Sequence, residues 1–169
     1  FSNKTAIAPT ASISIICGGT SPGVEPIAAN SFTHKTLSGS FNVRNRYLEK
    51  ILKKYNKNDD ETWSSITTNQ GSVSHLDFLT QQEKDVFKTA FELDQKWIVE
   101  LGADRTAHIS QAQSINIFVP ADIHKKELHQ IHFQAWKKGL KSLYYCRSKS
   151  IQRAENINDA KVTDVTANV

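Results

Sequence analysis

Pro9-Thr10-Ala11-Ser12 is the first stretch whose residue types could do chemistry. A helix starting here would offer free backbone N–H groups and the positive end of its dipole, and both favour phosphate. Thr10 and Ser12 would add hydroxyl donors. The same residues also read as an ordinary capped helix, because Ser and Thr oxygens accept from the free N–H groups of a first turn. Residue types alone do not choose between the two. The adjacent aromatics Tyr144-Tyr145 form the second stretch, and the commonest use of such a pair is packing. The two cysteines, Cys17 and Cys146, have no CxxC or Cys/His metal spacing around them and are expected to be inert core thiols in a reducing setting. Of the six histidines, His129 and His132 share a helix face, without a carboxylate at a partner spacing. They predict a solvated face rather than a metal site.

Several elements must position these residues. A short helix led by Pro9-Thr10-Ala11-Ser12 should stop at Gly18-Gly19, and Thr20 to Pro26 should be a turn-rich connector. Phe32 to Val43 reads as extended structure around Ser38-Gly39-Ser40. Leu48, Ile51, Leu52 and Tyr55 follow helical spacing, and the polar run Asn56 to Glu61 reads as a surface loop. Thr80-Gln81-Gln82-Glu83 has the form of a capping box. It predicts a helix carrying Val86, Phe87, Ala90, Phe91, Trp97, Ile98 and Leu101, ended by Gly102, with a second helical segment from Ala103 towards Ser110. Ser114 to Val119 alternates as a strand. Asp122 can cap a helix bearing Leu128, Ile131 and Ala135 that ends at Gly139. Leu140 to Tyr145 reads as a last strand or extended segment, and the polar run from Gln152 predicts a disordered tail. Strands alternating with helices predict an α/β fold, with too few strands to close a barrel.

Composition excludes several classes. The 169 residues are 38% hydrophobic and 22% charged, with a net charge of +4, so a core is possible and a mildly basic surface suits an anionic small molecule. The basic residues are dispersed, without the clusters of a nucleic-acid binder. The longest apolar candidate, Ile13 to Cys17, is far short of the roughly 20 residues a membrane span needs, and no signal peptide opens the chain. Methionine is absent, which predicts a processed chain or a piece of a longer one.

Four segments in order resemble the large (alpha) subunit of class I ribonucleotide reductases. They are Ala8-Pro9-Thr10-Ala11-Ser12, Thr36-Leu37-Ser38-Gly39-Ser40-Phe41, Gln113-Ser114-Ile115-Asn116-Ile117 and Gly139-Leu140-Lys141-Ser142-Leu143-Tyr144-Tyr145. The resemblance covers about residues 5 to 153. It implies the C-terminal portion of a ten-stranded α/β barrel, incomplete on its own, in residues 1–151, with 152–169 as a tail. It further implies that Thr10, Ala11, Ser12 and Ile13 hold the substrate diphosphate, mostly through backbone amides, with Ser14 as a neighbour. It implies that Tyr144 and Tyr145 are a radical-transfer pair, Tyr144 facing the active-site cysteine and Tyr145 facing a small, radical-generating subunit. Phenol suits that task, because it keeps its proton at neutral pH and can lose and regain electron and proton together.

What the family's reaction needs and the chain lacks is equally informative. The thiyl-radical cysteine, the two reducing thiols and their nearby Glu and Asn lie upstream in the family, and Cys17 and Cys146 do not match them. The mobile cysteine pair common at the end of large subunits is missing, as is the allosteric N-terminal cone. The resemblance therefore implies reduction of ribonucleoside diphosphates in the cytoplasm by an assembly that includes this chain. The other members would be the N-terminal remainder of the large subunit, a small (beta) subunit with the radical-generating metal site, and an external thiol reductant of the thioredoxin or glutaredoxin type. No cofactor, metal, membrane or direct nucleic-acid contact is expected in this chain. The rival reading is a non-catalytic docking module that retains the fold. A cobalamin-dependent reductase is disfavoured by Tyr144-Tyr145, since that pair serves radical entry from a second protein.

Overall fold

The computed structural model of the chain describes residues 2–18, 21–37 and 39–149. The N-terminal segment runs parallel to the chain around Gln113, through a bridge between Ile7 and Gln113. It then turns into α1 (Ala11–Ile16). β1 (Ser31–Thr36) and β2 (Gly39–Arg44) supply the extended structure that the β-branched and aromatic residues predict, and the structure pairs them as an antiparallel hairpin. α2 (Arg46–Lys54) follows, and its Asn45 side chain accepts from the Tyr47 and Leu48 amides.

α3 (Asp60–Thr68) was not expected, because the polar run before Trp63 reads as a loop. Its start is nevertheless capped: Asp59 accepts from the Thr62 amide at 2.7 Å, and Asp60 and Glu61 occupy the first turn, where carboxylates favour the dipole. α2 and α3 bury Leu48, Leu52, Trp63 and Ile66 against Val73, Leu76, Leu79 and Phe87. Burial of such side chains contributes about 1.5–3 kcal/mol each.

The long helix expected from Thr80 is three pieces instead. The capping box forms, with the Thr80 amide donating to Glu83, and α4 covers Gln81–Val86. The helix then stops because tertiary partners take the groups it needs. The Asn30 amide donates to the Phe87 carbonyl at 2.8 Å, and the Ala90 N–H donates to the Ile27 carbonyl at 2.9 Å. A 3-10 turn (Ala90–Glu92) with its own Thr89–Glu92 capping box follows, and Asp94 caps α5 (Gln95–Thr106). Gly102 lies inside α5 and does not end it. A Cβ at Gly102 would stand 2.6 Å from Ile115 Cδ1, so glycine here lets α5 approach the strand beneath.

β3 (Ile117–Val119), α6 (Lys125–Lys137) and β4 (Cys146–Ser148) form a β-α-β unit with the two strands parallel. This is the α/β pattern expected from the alternating elements. β3 is shorter than predicted, and all three of its residues are buried. α6 is capped by His124, whose Nδ1 accepts from the Lys126 amide, not by Asp122. Gly139, at φ 79°, follows the end of α6 as expected. Val99, Ile117, Val119, Ile131 and Ala135 make the second core cluster. The expected tail beyond residue 151 lies outside the described residues, as does Gly19.

Candidate functional site

The chain just before the Pro9-led stretch and the Tyr144-Tyr145 pair flank one short length of backbone. On one edge of residues 113–117, Ser114 N–H donates to the Ile7 carbonyl, two residues before Pro9. On the other edge, Tyr144 N–H donates to Ile115 O at 2.7 Å, and Ile117 N–H donates to Tyr145 O at 2.9 Å. A regular parallel ladder would have a single residue make both of those bonds. Here Tyr144 and Tyr145 together stand opposite one residue, Asn116, which is the two-against-one pattern of a β-bulge. Consecutive side chains of a regular strand point to opposite faces. The bulge explains why these two consecutive rings touch instead, with centroids 4.1 Å apart and planes at 53°.

The Tyr144 hydroxyl donates to the Tyr145 oxygen over 3.5 Å. That bond, then the charge a neighbouring Tyr145 phenolate would carry and slight desolvation, raise the Tyr144 pKa above the usual phenol value, while Arg147 opposes the shift. Tyr144 therefore keeps its hydrogen throughout the neutral range. The Arg147 guanidinium carbon lies 5.2 Å from the centre of the Tyr145 ring. Both rings are about half exposed.

The Pro9-led loop turns sharply. Thr10 adopts a left-handed conformation, at φ 51° and ψ 19°, and its side chain does not cap α1. Its hydroxyl donates instead to the Pro22 carbonyl at 2.9 Å, tying the loop to the connector that follows α1. The hydroxyl proton expected to serve as a phosphate donor is thus already committed within the chain. Left-handed backbone at a non-glycine residue costs on the order of 1–3 kcal/mol and clusters at functional sites. Ala11 and Ile13 are exposed, and the amides of Ala11, Ser12 and Ile13 are those a first helical turn leaves without intrahelical acceptors. Ser14 Oγ is occupied, donating to the Ala11 carbonyl.

The two cysteines are exposed, not buried as expected: Cys17 caps the end of α1 and Cys146 opens β4. Among the described residues no group of three His, Cys, Asp or Glu could hold a metal ion. His129 stacks on Phe133, and His132 Nδ1 contacts the Leu128 carbonyl. No helix among the described residues is long and apolar enough to cross a membrane.

Sequence reasoning missed two positions. Glu25 is buried and bonds to Asn116 across the fold. Gln113 is a buried hub: its amide donates to Gly102 O and Thr106 Oγ1, and its oxygen accepts from Arg105 Nε. The polar Asn116 inside an apolar alternation was the one available signal.

A β-α-β unit with two parallel strands defines a segment of an α/β fold, and the family comparison says which one. The model of the ribonucleotide reductase barrel domain matches residues 1–146, and the chain belongs to that family. It is 55% identical over 162 residues to the ribonucleoside-diphosphate reductase large subunit of Invertebrate iridescent virus 6, covering 94% of this chain and 17% of the relative. The corresponding protein of Invertebrate iridescent virus 3 is 45% identical over 166 residues, covering 96% of this chain and 26% of the relative. Among solved structures, the Actinobacillus ureae class Id ribonucleotide reductase alpha subunit superposes with a TM-score of 0.75 at 40% identity, over 88% of this chain and 26% of that one. The chain thus spans between 17% and 26% of the length of these relatives.

Proposed function

We propose that this chain serves ribonucleoside-diphosphate reduction as the segment of the large subunit that receives the radical and seats the substrate diphosphate. The observation that carries this reading is the Tyr144–Tyr145 contact. Its hydroxyl bond runs from Tyr144 to Tyr145, the direction a hydrogen must move when a hole travels inward. Tyr145, oxidised by a small subunit bearing the radical-generating metal site, would take the hydrogen of Tyr144. Tyr144 would then take one from the active-site cysteine of the remaining large subunit. Each step moves one electron and one proton, and no covalent bond forms between the residues.

The loop of Thr10, Ala11, Ser12 and Ile13 would hold the diphosphate through amides at the start of α1. The Thr10 hydroxyl would serve by fixing the loop to Pro22. A thioredoxin- or glutaredoxin-type thiol would restore the reducing cysteines, and the assembly would work in the cytoplasm. The family relationship and the names of the relatives support this reading.

The test is deoxynucleotide formation by a complete large subunit containing this segment, with small subunit, thiol reductant and ribonucleoside diphosphate. Turnover is expected, and none when residues 1–149 are deleted. An unmodified assembly that makes no product would favour the docking-module reading and overturn this one.

A further inference from the structure

Asn116 is the single residue opposite the tyrosine bulge, and Glu25 holds it. The Asn116 N–H donates to Glu25 Oε1, and its side-chain amide donates to Glu25 Oε2 at 3.4 Å. Glu25 is only 4% exposed and has no ion-pair partner among the described residues. Burying a polar group is costly unless it is hydrogen-bonded, and both Glu25 carboxyl oxygens find their partner on Asn116, whose own N–H needs an acceptor. The position explains the need. Ile7 takes the Ser114 N–H, and then the N-terminal segment leaves the sheet at Pro9 to make its loop. The next N–H along that edge is that of Asn116, and a side chain, not a strand, accepts it.

The surroundings are shaped to fit. A Cβ at Gly23 would stand 2.6 Å from Glu25 Oε2, so glycine makes room for the carboxylate. Ser21 Oγ donates to the Glu25 carbonyl and braces the turn. Asn116 Oδ1 is buried without a hydrogen-bond partner, so this amide is held from the Glu25 side alone.

We propose that Glu25 is a positioning residue for the tyrosine pair: by clamping Asn116 it fixes the strand against which Tyr144 and Tyr145 bulge, and so sets the contact between the two phenols. The inference rests on the radical-transfer reading of those tyrosines. A bulge sets two residues against one and disrupts the ladder locally, so a hold on that one residue from the other edge helps to fix the register. Hole transfer between phenols depends steeply on their separation, whereas nucleotide binding at the Pro9-led loop does not depend on it.

The experiment uses the complete large subunit with its small subunit and reductant, with turnover normalised to nucleotide-binding sites. Glu25→Ala should lower kcat at least tenfold and leave the KM for ribonucleoside diphosphate within twofold. Glu25→Gln still offers an oxygen to the Asn116 N–H, and its new amide can donate to a turned-over Asn116; it should keep at least a third of wild-type kcat. Gly23→Ala displaces the carboxylate without removing it, so it should lower kcat three- to tenfold, again at constant KM, even if Glu25→Ala folds poorly. Tyr145→Phe is run alongside. If Tyr145→Phe is inactive while Gly23→Ala and any folded Glu25→Ala keep normal kcat, the Glu25 role is wrong and the radical reading stands. Equal losses in Glu25→Ala and Glu25→Gln, or a KM rise matching the kcat fall, also overturn the Glu25 role. A fully active Tyr145→Phe overturns the radical reading itself, and this inference with it.

Discussion

At the scale of single residues, a substitution at the start of α1 separates the proposed phosphate role from fold stability. Its first turn carries no acidic side chain, and Ala11 is exposed at the first helical position. Ala11→Asp should stabilise α1 slightly, by about 0.3–1 kcal/mol, because a carboxylate at a helix start complements the dipole. The same charge would sit where the diphosphate is proposed to bind. Ribonucleoside diphosphate affinity should therefore fall roughly 10- to 100-fold, or about 1.5–3 kcal/mol, through like-charge juxtaposition. Calorimetric binding to the complete large subunit, with thermal melting in parallel, reads both effects. Unchanged affinity would remove the loop from the substrate site. The residue types in this loop were legible in the sequence, but the use of the Thr10 hydroxyl was not. It depends on the loop folding back to Pro22, a contact that local capping preferences do not encode.

At the scale of elements, close approach at Gly102 couples α5 to the strand beneath. Alanine is the better helix former by about 0.5–1 kcal/mol. Its Cβ, however, would press on Ile115 Cδ1 at 2.6 Å and Leu140 Cδ2 at 3.3 Å. Overpacking of this kind costs about 1–3 kcal/mol, so Gly102→Ala should be net destabilising in denaturant titration of the large subunit. A stabilised variant would show that the approach is slack. Where one element dictates its own form, the sequence reading held: α2, the β1–β2 hairpin and the Thr80 capping box all have local signals. It failed where distant groups intervene. Asn30 and Ile27 break the helix expected through Phe87 and Ala90. Gly102 looked like a terminator because its steric role lies across the core. α3 was hidden because Ser and Thr dominate its exposed face, leaving Trp63 and Ile66 as its few apolar anchors. The pairing of Tyr144 with Tyr145 was legible as a dipeptide, whereas the bulge that brings the rings together is a property of the β3–β4 register.

At the scale of the whole molecule, the described residues show a surface that expects more protein. Trp97, Leu101 and Trp136 stand more than half exposed, and Phe133 is nearly so. Phe133 and Trp136 touch, with ring centroids 5.5 Å apart, and exposed apolar side chains that cluster in this way mark a contact surface. The parallel β3–β4 pair has only two strands, and parallel sheets are normally covered on both faces. Both features suit a segment that completes its barrel with further chain, in line with its 17–26% share of the relatives' length. This segment is proposed to hand the radical inward through Tyr144 and Tyr145, and the decisive measurement is deoxynucleotide formation in the complete assembly carrying Tyr144→Phe, Tyr145→Phe or both. Phenylalanine keeps each ring and removes only the hydroxyl, worth about 1 kcal/mol where it is bonded. Nucleotide affinity and subunit binding should therefore stay near wild type. Turnover should fall by several orders of magnitude in either single variant, and the double variant should be no worse than the poorer single, as for residues acting as one unit. Near-normal turnover in both single variants would contradict the claim and leave Tyr144-Tyr145 as packing.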